Sequence, residues 1–203
     1  DDLDGLLALV QGAMLEIHPW GSPINGWERP DRIVMDLDPG EGVGWDRLVE
    51  GAFTVRQHLI DAGLVPFVKT SGGKGLHVCC ALHDRTTWPK VKAMCQGIAK
   101  AMAKAEPDRY VATVSKAQRR GRILVDYLRN QRGQTAVAPW STRARPGAPV
   151  SMPLDWSELD GFVPGRHTLR SAAERLAAPD PWAGMDAAAG RLDQAGARLA
   201  ELR

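Results

Sequence analysis

The run Arg32-Ile33-Val34-Met35-Asp36-Leu37-Asp38 constrains this chain more than any other stretch. Arg32 to Leu37 reads as a buried strand that Pro39-Gly40 ends. The two-residue period of a strand puts Asp36 and Asp38 on one face and directs Leu37 into the core. Two carboxylates then converge at a strand end, where like charges repel, and a divalent cation is the simplest way to keep both ionised. A third carboxylate, Asp126, lies in Arg122-Ile123-Leu124-Val125-Asp126-Tyr127-Leu128, a run so apolar that an unpaired charge there is expensive. Three carboxylates on neighbouring strands suit two hard cations roughly 3.5–4 Å apart, the arrangement used for in-line displacement at phosphorus. Alone, a DxD is common as a turn or surface feature. A phosphatase-type DxD usually carries Thr or Val two residues past the second Asp, where this chain has Gly40.

Elements of both kinds alternate along the 203 residues. Leu3, Leu6, Leu7 and Val10 predict a short amphipathic helix, and Met14 to His18 alternates like a strand. Trp45 to Ile60 carries an apolar helical face, and Thr87 with Pro89 opens another helix whose core face is Val91, Met94, Cys95, Ile98 and Met102. Leu64 to Lys69, Leu76 to Leu82, Tyr110 to Val114 and Arg122 to Leu128 read as strands, and Pro139 to Pro164 as extended segments and turns. Two helices are expected to close the chain. Ser171 and Glu174 form the pattern of a capping box for the first, and Leu192, Leu199 and Leu202 stripe the second.

The turn Thr70-Ser71-Gly72-Gly73-Lys74-Gly75 joins two of these strands. Its glycines allow close backbone approach, so amides, Ser71 and Lys74 can cradle phosphate oxygens. It also reads as a plain hairpin turn. It is not a Walker A loop, because Lys74 is followed by Gly75 in place of Ser or Thr. His77 follows on the strand. Between Ser115 and Arg145 stand eight basic residues, including Arg119, Arg129 and Arg143, against the single acid Asp126. Arginine suits bidentate phosphate contacts, and Arg120 and Arg132 are read as solvated surface.

Bulk properties fit one globular domain, with 44% hydrophobic and 25% charged residues and a net charge of +2. That charge is too small to imply polyanion binding by itself. Cys79, Cys80 and Cys95 lack CxxC pairing and read as reduced packing residues. No apolar run reaches the roughly 20 residues needed to span a bilayer, and no basic signal-peptide flank opens the chain, so the expectation is cytoplasmic with no membrane partner.

Three motifs in this order resemble the archaeo-eukaryotic primase superfamily, and within it the polymerase domain of bacterial ATP-dependent DNA ligase D. They are Ile33 to Pro39, Thr70 to Val78 and Val125 to Asn130, with Ala138 to Gly147 as a fourth similar stretch, and the likeness runs from Leu3 to Arg175. The resemblance implies an α+β fold, a primase-polymerase-like core with an RRM-like mixed or antiparallel sheet flanked by helices. That core is expected over residues 1–167, with a C-terminal helical segment over 168–203. The resemblance further implies that Asp36, Asp38 and Asp126 bind two Mn²⁺ (or Mg²⁺) ions. Ser71, Lys74, His77, Arg119 and Arg143 would contact a nucleoside triphosphate, with His18 and Arg129 near the active centre. The family adds nucleotides, preferring ribonucleotides, to DNA 3′ ends at gaps and double-strand breaks, beside a ligase domain and the end-binding protein Ku. Its members carry a further N-terminal segment with basic residues for a 5′-phosphate, so the expectation is a fragment or reduced relative whose grip on DNA is weaker or supplied elsewhere. From the residues alone, a metal phosphoesterase and a strand-binding module without chemistry stay open.

Overall fold

Residues 2–83 and 86–192 are described in the structure, a computed structural model. The elements run α1 (Leu3–Gln11), β1 (Arg32–Pro39), α2 (Trp45–Asp61), β2 (Phe67–Thr70), β3 (Leu76–Ala81), α3 (Trp88–Ala105), β4 (Tyr110–Val111), β5 (Ile123–Asp126), β6 (Pro153–Leu154) and α4 (Ala172–Leu176). The six strands form one sheet in the order β4-β5-β1-β3-β2-β6. Only the β4–β5 pair is parallel, so the sheet is mixed and the fold α+β.

The alternation of β1 decides the layering. Ile33, Met35 and Leu37 point to the face covered by α2 and α3, where Leu48, Ala52, Val55 and Leu59 of α2 meet Val91, Cys95, Ile98 and Met102 of α3. Each of the Leu, Val, Ile and Met side chains, fully buried, contributes about 1.5–3 kcal/mol. The opposite face carries Val34, Asp36 and Asp38 and is covered only by irregular chain. Cys79, Cys80 and Cys95 are buried free thiols, and burial raises the pKa of each, that of Cys79 to about 11. Among the described residues no helix is long and apolar enough to cross a membrane.

The predicted first helix forms as α1, with its apolar side exposed at Leu3, Leu6, Leu7 and Val10. Two local readings differ from the structure. Met14 to His18 is extended but forms no strand, because its partners are single groups of an irregular arm: Ile17 N–H donates to Ser141 Oγ at 2.9 Å and Ala138 N–H to Ile17 O at 2.9 Å. The Ser171 capping box does not form, since Ser171 is helical (φ −89°, ψ −9°) and its hydroxyl bonds Thr168 instead; α4 is only five residues long. A capping box does form at Asp155 and Glu158. The last expected helix, beyond Leu192, lies outside the described residues. Residues 181–188 run as turns, and Trp182 donates its indole N–H to Val68 O at 3.0 Å.

One buried side chain completes the sheet beside the carboxylates. β5 leaves β1 after Asp126, so the Val34 N–H and C=O on that side lose a strand partner. Asn130 replaces it: its Oδ1 accepts the Val34 N–H at 2.8 Å and its Nδ2 donates to Val34 O at 2.7 Å. Asn130→Ala leaves both groups unpaired in the interior, which is expected to cost about 3 kcal/mol. Urea unfolding followed by circular dichroism checks this, and a loss under about 1 kcal/mol contradicts the role.

Candidate active site

The register of four strands lines up a row of ionisable residues. Asp126 on β5 stands opposite Asp36 on β1, Asp36 opposite His77 on β3, and His77 opposite Lys69 on β2. All four share one face, and they are 8%, 4%, 3% and 2% exposed. Such residues are rarely buried without partners. Arg129 supplies one, its Nε donating to Asp36 Oδ2 at 3.2 Å and lying 3.6 Å from Asp126 Oδ2. Asp126 Oδ1 accepts the Leu128 N–H at 2.8 Å. His77 Nε2 is 3.3 Å from Asp36 Oδ1, but without hydrogen-bond alignment, so that buried oxygen has no partner among the described residues.

These contacts set the charges. Burial pushes Asp36 up, and the His77 imidazole and Arg129 guanidinium more than reverse this, holding it below the usual carboxylate range. Burial and Lys69 push His77 down toward its neutral form, so the permanent cation beside Asp36 is Arg129. Asp38 is raised to about 6, first by burial and then by repulsion from Asp36. Asp126 is raised as well, chiefly by burial. Lys69 donates to Ser151 Oγ at 2.7 Å, and burial lowers its ammonium to about 8.

The glycine turn closes one side. Ser71 Oγ accepts the N–H groups of Gly73 (3.3 Å) and Gly75 (3.1 Å), so these two amides are engaged within the turn and the hydroxyl proton is left to donate outward. This differs from a cradle built on free amides. Phosphate contact then falls to side chains. A Cβ on Gly75 would lie 2.5 Å from Leu37 O, and one on Gly72 2.7 Å from Arg143 Cγ. Only glycine lets the turn press against the end of β1 and under Arg143.

The row and the turn border a cleft of about 470 Å³ lined by His18, Asp36, Asp38, Ser71, Lys74, His77, Arg119, Arg129 and Arg143. Of the residues singled out in the sequence, only Asp126 is absent from the lining, lying behind Arg129 beside Asp36. Arg143 Nη1 donates to Ser71 O at 2.6 Å, and Arg119 Nη2 to Val114 O at 3.1 Å. Arg120 is exposed, and Arg132 is ion-paired with Glu28 and lies over Trp27, both away from the cleft. Sequence reading missed Lys69, hidden as one polar residue in a short strand, and gave no role to Arg145, which also lines the cleft. It also missed Glu16, 2.8 Å from His18 Nε2, whose only signal was its spacing two residues from that histidine.

Whether these residues fit metal ions can be judged from the donors. Hard carboxylate oxygens, one of them buried and unpartnered, and an Asp38 raised partly by repulsion from Asp36 are what a divalent cation relieves. No three of the described His, Cys, Asp or Glu side chains are already gathered around one point, and Arg129 provides the compensating charge instead. The donor set fits, with the carboxylates still to close on the ion.

The site thus sets carboxylates on the sheet beside a basic cleft bounded by the glycine turn. The chain belongs to the LigD, primase-polymerase domain family, which it matches over residues 1–182. It is 42% identical over 184 residues to the multifunctional non-homologous end joining protein LigD of Pseudomonas aeruginosa, covering 89% of this chain and 22% of that protein. The multifunctional non-homologous end joining DNA repair protein LigD of Mycobacterium tuberculosis is 38% identical over 168 residues, 79% of this chain and 22% of the relative. A solved polymerase domain from Mycobacterium tuberculosis ligase D, in complex with DNA, superposes with a TM-score of 0.83 at 33% identity, covering 92% of this chain and 68% of that one. The chain thus spans about a fifth of the length of these two whole relatives.

The raised Asp38 carries a consequence for stability. Its folded-state pKa lies above its unfolded value, so its ionisation opposes folding, with the cost growing between about pH 4 and 6 and full above that. Asp38→Asn is therefore expected to raise the melting temperature of metal-free protein at about pH 8 and to leave it nearly unchanged at about pH 4. Calorimetry in EDTA checks both; a lower melting temperature at the higher pH contradicts the assignment.

Proposed function

We propose that this chain is a template-directed or end-extending nucleotidyltransferase of the primase-polymerase type that adds (ribo)nucleotides to DNA 3′ ends in gap filling and end joining. The observation that carries this reading is the cross-sheet row of carboxylates opening onto a cleft rimmed by Ser71, Lys74, Arg119, Arg143 and Arg145. Family membership and the likeness to a polymerase domain solved with DNA support it.

The triphosphate occupies the cleft with its charge met by Lys74 and the arginines, while the Ser71 hydroxyl donates to a phosphate oxygen. Asp36, Asp38 and Asp126 would hold two Mn²⁺ (or Mg²⁺) ions. When bound, these ions supply Lewis acidity for the primer 3′-hydroxyl and for the leaving group. The 3′-hydroxyl gives up its proton to solvent water and its oxygen forms a bond to the α-phosphorus as the bond to the bridging oxygen of pyrophosphate breaks. Basic side chains fixed in advance stabilise the charge that gathers on that leaving group, since they need no reorganisation as it develops. Arg129 balances Asp36 and Asp126 in the metal-free site. We infer that the substrates are DNA ends and gapped or primer-template DNA, and that the chain works beside a ligase domain and Ku.

Asp36→Ala and Asp126→Ala are each expected to reduce Mn²⁺-dependent primer extension by at least about a hundredfold, with the fold retained. Gel analysis of a labelled primer with a coupled pyrophosphate assay measures this. Extension unchanged in either variant, or shortening of the primer by the parent chain, contradicts the reading.

A further inference from the structure

A carboxylate outside the metal-binding set contacts two side chains that line the triphosphate cleft, His18 and Arg143. Glu16 Oε2 lies 2.8 Å from His18 Nε2 and 3.1 Å from Arg143 Nε, and Oε1 accepts the Ala144 N–H at 2.8 Å. Arg143 in turn donates from Nη1 to Ser71 O at 2.6 Å. Glu16 thereby connects the phosphate turn, the arginine and His18 in one chain of contacts.

The backbone on both sides of Glu16 is fastened to the same arm that carries Arg143. Leu15 O accepts the Thr142 hydroxyl, Ile17 N–H donates to Ser141 Oγ at 2.9 Å, and Ile17 O accepts the Ala138 N–H at 2.9 Å. The hydrogen bond with His18, the Ala144 N–H and Arg143 hold the carboxyl down at about 2, so Glu16 is an anion throughout the neutral range. An anion beside a triphosphate pocket repels the substrate. It is useful there only if it fixes cations in the geometry the phosphates require, so that less ordering remains to be done on binding.

We propose that Glu16 is a positioning residue for the incoming nucleotide, orienting Arg143 and His18 on the cleft wall. This rests on the reading of the cleft as a triphosphate site. The two alternatives for Glu16 have opposite signs: a charge that only repels makes Glu16→Gln bind triphosphate more tightly, whereas a positioning charge makes it bind more weakly.

Calorimetric titration of ATP with Mn²⁺ into the parent, Glu16→Gln, His18→Ala and the double variant tests this. The expected result is a Kd raised about tenfold in Glu16→Gln, an increment that shrinks in the His18→Ala background, and an unchanged melting temperature. In primer extension KM for the nucleotide rises while kcat stays within about twofold. Equal or tighter binding by Glu16→Gln, full additivity with His18→Ala, or a fall in kcat at constant KM overturns the proposal. If the parent shows no ATP binding, the triphosphate reading itself fails and this inference with it; a parent that binds while Glu16→Gln binds equally well removes only the inference.

Discussion

The antiparallel register of β1 between β3 and β5 is the constraint on which the site depends. Because Asp36 pairs across with both Asp126 and His77, three strands deliver their ionisable side chains to one line on one face. A slip of one residue in either pairing would send a carboxylate into the apolar layer under α2 and α3. The register is held by the buried alternation of Ile33, Met35 and Leu37, and Asn130 fixes the place where β5 departs. Stability of the sheet and geometry of the site are therefore the same physical problem.

Gathering carboxylates in a buried row is costly, and the surroundings show how the cost is met. Asp36 is kept ionised beside Arg129, while Asp38 and Asp126 are raised by burial and by their neighbours. The rim is basic, supplied by Lys74 on the turn and by arginines between residues 119 and 145. The carboxylates of β1 and β5 thus stand beside a rim whose side chains are mostly basic.

Much of this was legible in the sequence because strand periodicity and glycine punctuation are local signals. The apolar run of β1, the turn from Ser71 to Gly75 and the isolated Asp126 each carry their meaning in a few neighbouring residues. What was not legible depends on distant partners. Lys69 looks like an ordinary polar strand residue until β2 sets it beside His77, and Glu16 gains its contacts from an arm about 128 residues further on. Met14 to His18 alternates like a strand but pairs with an irregular segment, so its pattern misleads. Ser171 and Glu174 have the spacing of a capping box, yet Ser171 adopts a helical backbone there.

We propose that Asp36, Asp38 and Asp126 bind metal ions together with a nucleoside triphosphate in the cleft. Anomalous diffraction from crystals grown with Mn²⁺ and a non-hydrolysable ATP analogue tests it most directly. Two manganese peaks held by these three carboxylates, with the phosphates against Lys74 and Arg143, are the predicted result. Phosphates seated in the cleft with no manganese at Asp36, Asp38 or Asp126 would contradict it.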